Sequence, residues 1–175
     1  MHTPSPQLRS GVEYFRQIKL YLKIYTNFED IIKTINAMSY TKILYHIVLR
    51  TKRSEMSISQ NNVSSLYKYI WGIIKNKQGN LYRINGTEDH IHILSDLHPS
   101  VSLADYIKSI KVSTSLWLKQ SNDFPLFRGW SEGYAAFTYS HKEKDTIISY
   151  IKNQQKHHQS ESMEDELNRL LRTVD

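Results

Sequence analysis

Hydrophobic patterning along the chain predicts an α+β fold in the order β-α-β-β-α-β, a four-stranded antiparallel sheet with helices on one face. Three observations predict it. Short runs rich in β-branched and aromatic residues recur along the sequence, and two longer segments between them carry apolar residues at helical spacing. Two of the runs stand close enough to pair as a hairpin across Gly86-Thr87. This is the split βαβ, ferredoxin-like arrangement, with further helices after it.

The elements follow in order. Tyr40–Thr51 reads as the first strand. Gln60–Asn76 reads as a helix with Val63, Leu66, Tyr67, Ile70, Ile73 and Ile74 on one side. Asn80–Asn85 and Asp89–Ser95 are the hairpin strands. Leu103–Lys119 is a second helix, with Leu103, Ile107, Ile110, Ser113, Leu116 and Trp117 along its stripe. Gly133–Ser140 is the fourth strand, Glu143–His157 a third helix, and Glu164–Leu171 a short last helix. Ahead of all this, a Pro/Ser stretch leads into Val12–Ile35, where Val12, Phe15, Ile18 and Leu22 recur at helical spacing. Residues 1–37 therefore read as an extension and 38–175 as the main domain.

A chain of 175 residues suits one domain with such an extension. Lys and Arg total 23 against 17 Asp and Glu, and the surplus is unevenly placed. Residues 1–37 carry a net +2, 38–160 a net +7 and 161–175 a net −3. The middle block is where a surface for a polyanion such as nucleic acid belongs. The absence of cysteine excludes disulfide scaffolds, thiolate metal sites and cysteine nucleophiles. The longest apolar run, Ile43–Leu49, falls far short of the roughly 20 residues that span a bilayer, and the start lacks the apolar core of a secretory signal. The expectation is a cytoplasmic protein.

Chemistry concentrates in two places. In His90-Ile91-His92 the strand alternation sends both imidazoles to one face and Ile91 to the other. Two imidazoles one pleat apart can chelate a divalent ion, although histidines on a sheet are also ordinary surface or core residues. The same alternation predicts a strand exposed on its histidine face. His46 and His98 have no such partner in the sequence and read as packed or surface residues. In the third helix Tyr150 and Gln154 stand four apart on one face. A phenol, with its pKa of about 10, is a poor nucleophile unless a cation or a base assists it. An ordinary interfacial tyrosine is the plain alternative.

Taken together, Asp89-His90-Ile91-His92-Ile93-Leu94, then Trp130 and Gly133-Tyr134-Ala135-Ala136-Phe137, then Tyr150-Ile151 with Asn153-Gln154 and His157-His158, resemble the single-tyrosine HUH transposases of the IS200-like insertion sequences. The likeness runs from about Met38 into the tail, through Met163-Glu164-Asp165-Glu166 and Leu170-Leu171. It implies a metal-dependent enzyme that cuts and rejoins single-stranded DNA at hairpin-marked ends of its own element, in the cytoplasm of a bacterium or archaeon. It implies His90, His92 and Gln154 as ligands of Mg²⁺ or Mn²⁺, Tyr150 as the nucleophile, and a homodimer. Candidate contacts to the DNA backbone are Arg50, Lys52 and Arg53 after the first strand and Lys108 and Lys111 on the second helix, for each of which a solvated surface is the plain alternative. Two other readings share the element order. One is a nucleic-acid-binding module without nuclease activity, against which stands the lack of an aromatic-rich motif on a central strand. The other is a domesticated relative acting on host repeats.

Overall fold

Leu44–Arg50 forms the first strand, β1, because its alternation gives it two apolar faces. In the computed structural model, which describes Lys23 and residues 27–30, 41–158 and 162–172, it lies inside a four-stranded sheet with β2 (Leu81–Gly86), β3 (His90–Ser95) and β4 (Ala135–Tyr139). The order is β2-β3-β1-β4 and every neighbouring pair is antiparallel. The helices are α1 (Val63–Asn76), α2 (Leu103–Gln120), α3 (Lys144–Lys152), α4 (Gln154–His157) and α5 (Met163–Arg172). The chain divides into two units, 1–40 and 41–175. In the first, Lys23 and residues 27–30 are helical, and the rest of the helix expected over Val12–Ile35 lies outside the described residues.

Ile47 and Leu49 of β1 and Ile91 and Ile93 of β3 pack on Leu66, Ile70 and Ile74 of α1 and on Tyr106, Ile107, Ile110 and Leu118 of α2. Each such fully buried aliphatic side chain contributes roughly 1.5–3 kcal/mol. One expected core position of α2 is corrected. Leu116 is 60% exposed, and Thr114 is buried in the stripe instead. Steps of four from Ile110 reach Thr114 and Leu118, following the true helical period. Thr114 satisfies its hydroxyl by donating to the Ile110 carbonyl at 2.6 Å and accepting from Trp130 Nε1 at 2.8 Å. Ser102 caps α2 by accepting from the Asp105 amide at 3.1 Å.

The opposite face of the sheet is covered as well. Leu44 and Leu94 pack with Ile147 and Ile151 of α3, and Val48 and Phe137 pack with Leu170 of α5. This overturns the expectation of a half-exposed third strand: every residue of β3 is buried. The alternation of His and Ile separates two buried environments, one apolar and one polar. The third helix also departs from the expected continuous segment, since Asn153 takes φ −96° and ψ 12° and separates α3 from α4. Asn85 of β2 supports that break, its amide donating to the carbonyls of Ile151 and Lys152, both at 3.0 Å. Gly86 closes the β2–β3 hairpin so tightly that a Cβ there would sit 2.2 Å from the His90 carbonyl oxygen.

Candidate metal and tyrosine site

β3 places His90 and His92 under α3 and α5, both fully buried, with ring centroids 5.0 Å apart. Each ring is held through its Nδ1. His90 Nδ1 lies 2.7 Å from Asp89 Oδ1 and 2.9 Å from Thr87 Oγ1, and Thr87 itself donates to Asp89 at 2.7 Å. His92 Nδ1 lies 2.8 Å from His46 Nε2. His46, read from the sequence as partnerless, is thus the residue that orients His92. Partners of this kind fix which ring nitrogen is offered to a ligand. Among the described residues, the buried side-chain atoms without a hydrogen bond include His90 Nε2, His92 Nε2 and Gln154 Oε1, with His46 Nδ1 behind His92.

The first three of those atoms belong to the residues expected to be ligands. Leaving them unsatisfied in a buried site costs roughly 1–3 kcal/mol each, which a cation would remove. The donor set is imidazole and oxygen without thiolate, a set that fits a divalent cation. Two more residues join it from the C-terminal side. Glu166 Oε2 lies 2.9 Å from His158 Nε2, 3.6 Å from His92 Nε2 and 4.0 Å from His90 Nε2. Ligand atoms of His90, His92, His158 and Glu166 all lie within 4.8 Å of one another.

Tyr150 of α3 meets the same carboxylate: its hydroxyl donates to Glu166 Oε1, which also accepts from Gln154 Nε2 at 2.7 Å. Arg169, one turn further along α5, reaches the phenol oxygen at 3.3 Å and sets its guanidinium 5.6 Å from the ring centre. The tyrosine ring stands 6.3 Å from His92 of its own chain. A carboxylate and a guanidinium therefore both reach the phenol from α5.

Electrostatics follow from burial and these pairings. Burial pushes the His92 imidazole below its ordinary value and outweighs the pull of Glu166. Burial and then the neighbouring His92 bring His46 down to about 3. Burial alone would raise the Asp89 carboxyl, but hydrogen bonds from His90 and Thr87 prevail and hold it at about 2. Burial likewise opposes ionisation of Glu166, yet His92, Tyr150 and Gln154 together hold it below the usual carboxylate range. Tyr150 is pushed up, first by burial and then by Glu166, with Arg169 acting in the opposite sense.

The basic candidates fall in three places. Lys52, Arg53 and Lys111 line a groove of about 700 Å³ with Lys119, Arg128 and Trp130. Lys108 borders an adjoining hollow with Lys111 and Tyr134. Arg50 sits apart, beside Val48, Tyr134 and Met163. Lys111 also donates to the carbonyls of Glu132 at 2.7 Å and Gly133 at 3.3 Å.

With this geometry in view, comparison with known proteins assigns the chain. The family model described as "Transposase IS200 like" matches residues 39–154, and the chain belongs to that family. Among solved structures it is similar to a protein of Deinococcus radiodurans R1 provisionally assigned as a transposase. That likeness has 23% identity and a TM-score of 0.50, covering 66% of this chain and 93% of the other. It is also similar to a REP-associated tyrosine transposase bound to a REP hairpin, at 13% identity and a TM-score of 0.49, covering 66% and 68% of the two chains. No curated protein matches.

Sequence reasoning missed Arg169 and the role of His46, and named Glu166 only within the family resemblance, without a role. A signal for Glu166 was present: Met163, Glu166, Leu167 and Leu170 share one face of the last helix, and a carboxylate in such a stripe is buried for a reason. His158 was noted only as part of the family resemblance.

Proposed function

We propose that this transposase is a metal-dependent single-stranded DNA endonuclease and strand transferase in which Tyr150 forms a 5′-phosphotyrosine at hairpin-marked ends of an insertion sequence. The observation that carries this is the convergence of a tyrosine, a carboxylate and three unsatisfied buried ligand atoms in one site. His90, His92 and Gln154 hold the cation, with His158 and Glu166 within reach of it. A bound Mg²⁺ or Mn²⁺ supplies polarisation of a phosphodiester oxygen and offsets the negative charge that develops during displacement.

This chain's own residues do the rest. Asp89 and His46 keep the two imidazoles in register through Nδ1. Glu166 takes the phenol proton along the hydrogen bond already present, and Arg169 stabilises the oxygen that results. The Tyr150 oxygen forms a bond to phosphorus as the bond to the 3′ oxygen breaks, and that oxygen leaves as a hydroxyl after gaining a proton. The phosphotyrosine conserves the bond energy, so attack by another 3′-hydroxyl joins strands without ATP. Tyr150 acts on the histidine pair of its own chain, and the working form is a homodimer.

Incubation with single-stranded DNA from the flanks of its element and Mn²⁺ should give a covalent adduct on a denaturing gel. His90→Ala should abolish the adduct while leaving DNA binding largely intact. An adduct undiminished in Tyr150→Phe would refute the assignment.

A further inference from the structure

Beside the candidate metal site lies a hollow of about 480 Å³ that the proposed chemistry does not use. His158 and Asp89 form one wall, so it opens directly alongside the ligand cluster. Its other walls carry Gln60, Gln155, Met56 and Glu88. The volume falls in the range of small-molecule pockets, roughly 300–1,000 Å³.

The wall is anchored. The amides of Ser57 and Ile58 both donate to the Glu88 carbonyl, at 2.9 and 2.8 Å, tying the segment after β1 to the turn of the β2–β3 hairpin. Met56 projects from this fixed backbone and is 64% exposed. Across the hollow Gln155 Nε2 donates to Gln60 Oε1 at 2.9 Å and Gln60 Nε2 donates to the Ile58 carbonyl at 3.4 Å, which leaves the Gln155 oxygen as an acceptor and one N–H of Gln60 as a donor. Gln155 follows Gln154 directly in α4, so the residue beside the cation-facing amide carries the hollow's own amide.

The chemistry of the lining selects its occupant. None of the lining residues is Lys or Arg, and two are acidic, so a phosphate is unwelcome. A neutral, flat group with hydrogen-bonding edges is suited to it. Thioethers pack well against aromatic rings, and a side-chain amide pairs with a base edge in complementary fashion. The hollow shares His158 with the ligand cluster, so for a strand whose phosphate lies at the cation the neighbouring group of this chemistry is the base of a flanking nucleotide.

We propose that this hollow is a nucleobase pocket that reads one unpaired base next to the scissile phosphate, with Gln60 and Gln155 facing its edge and Met56 its ring; the inference rests on the nuclease reading above. It makes the choice of cutting position a property of the protein as well as of the DNA.

The test uses the full chain, Mn²⁺ and a pool of single-stranded oligonucleotides randomised over a central window. Tyrosine-linked strands and the released 3′-hydroxyl fragments are both sequenced. The expected result is an enrichment of one base of about tenfold at one position adjoining the cut. That enrichment should fall below about twofold in Gln155→Ala and in Met56→Ala, each shown to be folded by circular dichroism. Wild-type cutting with no base preference beside the cut, or a preference unchanged in both variants, overturns the pocket and leaves the nuclease standing. A folded variant of either kind that captures no strand also overturns it, since a pocket that only selects a base is dispensable for the attack. No linked strand with wild-type protein overturns the nuclease reading itself.

Discussion

Tyr150 is held between a carboxylate and a guanidinium that both arrive from α5, 16 and 19 residues further along the chain. Glu166→Gln keeps the shape but removes the proton acceptor, so adduct formation by the folded variant should slow by roughly 10²–10⁴-fold; a rate within twofold of wild type would remove Glu166 from the mechanism. Away from the site, Tyr106 is buried against Ser95, to whose hydroxyl it donates at 3.0 Å, and burial pushes its phenol up to about 12. The unfolded phenol ionises near pH 10, so the unfolded chain loses its proton first and stability declines as pH rises from about 10 to about 12. Tyr106→Phe should cost about 1 kcal/mol at pH 7 and show a shallower loss across that window in urea unfolding. An equally steep loss would contradict the assignment. At this scale the residues that the sequence singled out, His90, His92, Tyr150 and Gln154, do converge. Their spacing along one strand and one helical stretch is local information. The contacts of Glu166 and His46 escaped because they reach 8 to 76 residues away, and no spacing rule announces a contact of that kind.

The β2–β3 hairpin is the element that sets the site. Its turn must bring the Gly86 backbone against His90, where a Cβ would also lie 2.8 Å from Ile91 Cα. Gly86→Ala should therefore push His90 out of register and weaken Mn²⁺ binding by at least tenfold in calorimetric titration, more than it lowers the unfolding midpoint. Unchanged metal affinity in a folded variant would show that the turn does not position the ligand. The hairpin was legible because two strand-forming runs flank Gly86-Thr87. The break at Asn153 was not: the apolar periodicity runs through it, and what favours it is Asn85 capping two carbonyls from another element. The burial of β3 was misjudged for a related reason. Alternating His and Ile looks like a sheet with one wet face, whereas here α3 and α5 supply the second cover.

On the scale of the whole molecule, the order of strands and helices could be read from the sequence because each element carries its own period. Which face the last helices cover could not, since that depends on packing among segments distant in sequence. The described residues include no helix long and apolar enough to cross a membrane. The surplus positive charge of the middle block gathers in part around the groove lined by Lys52, Arg53, Lys119 and Arg128. If that groove tracks a DNA backbone, the double variant Lys119→Glu with Arg128→Glu should weaken single-stranded DNA binding at least tenfold at low salt. It should also reduce the slope of log affinity against log salt by about one to two. An unchanged slope would assign the groove to something other than phosphates.

The most direct measurement is mass spectrometry of the tryptic digest of the protein after reaction with single-stranded DNA and Mn²⁺, followed by nuclease trimming. Cleavage after Lys144 and Lys152 releases Asp145–Lys152, in which Tyr150 is the only tyrosine. That peptide should carry a nucleotide joined through a phosphodiester to its tyrosine, and the modification should vanish in His90→Ala. A nucleotide on any other peptide, or an unmodified Asp145–Lys152 alongside efficient strand cleavage, would contradict the assignment of Tyr150 as the nucleophile.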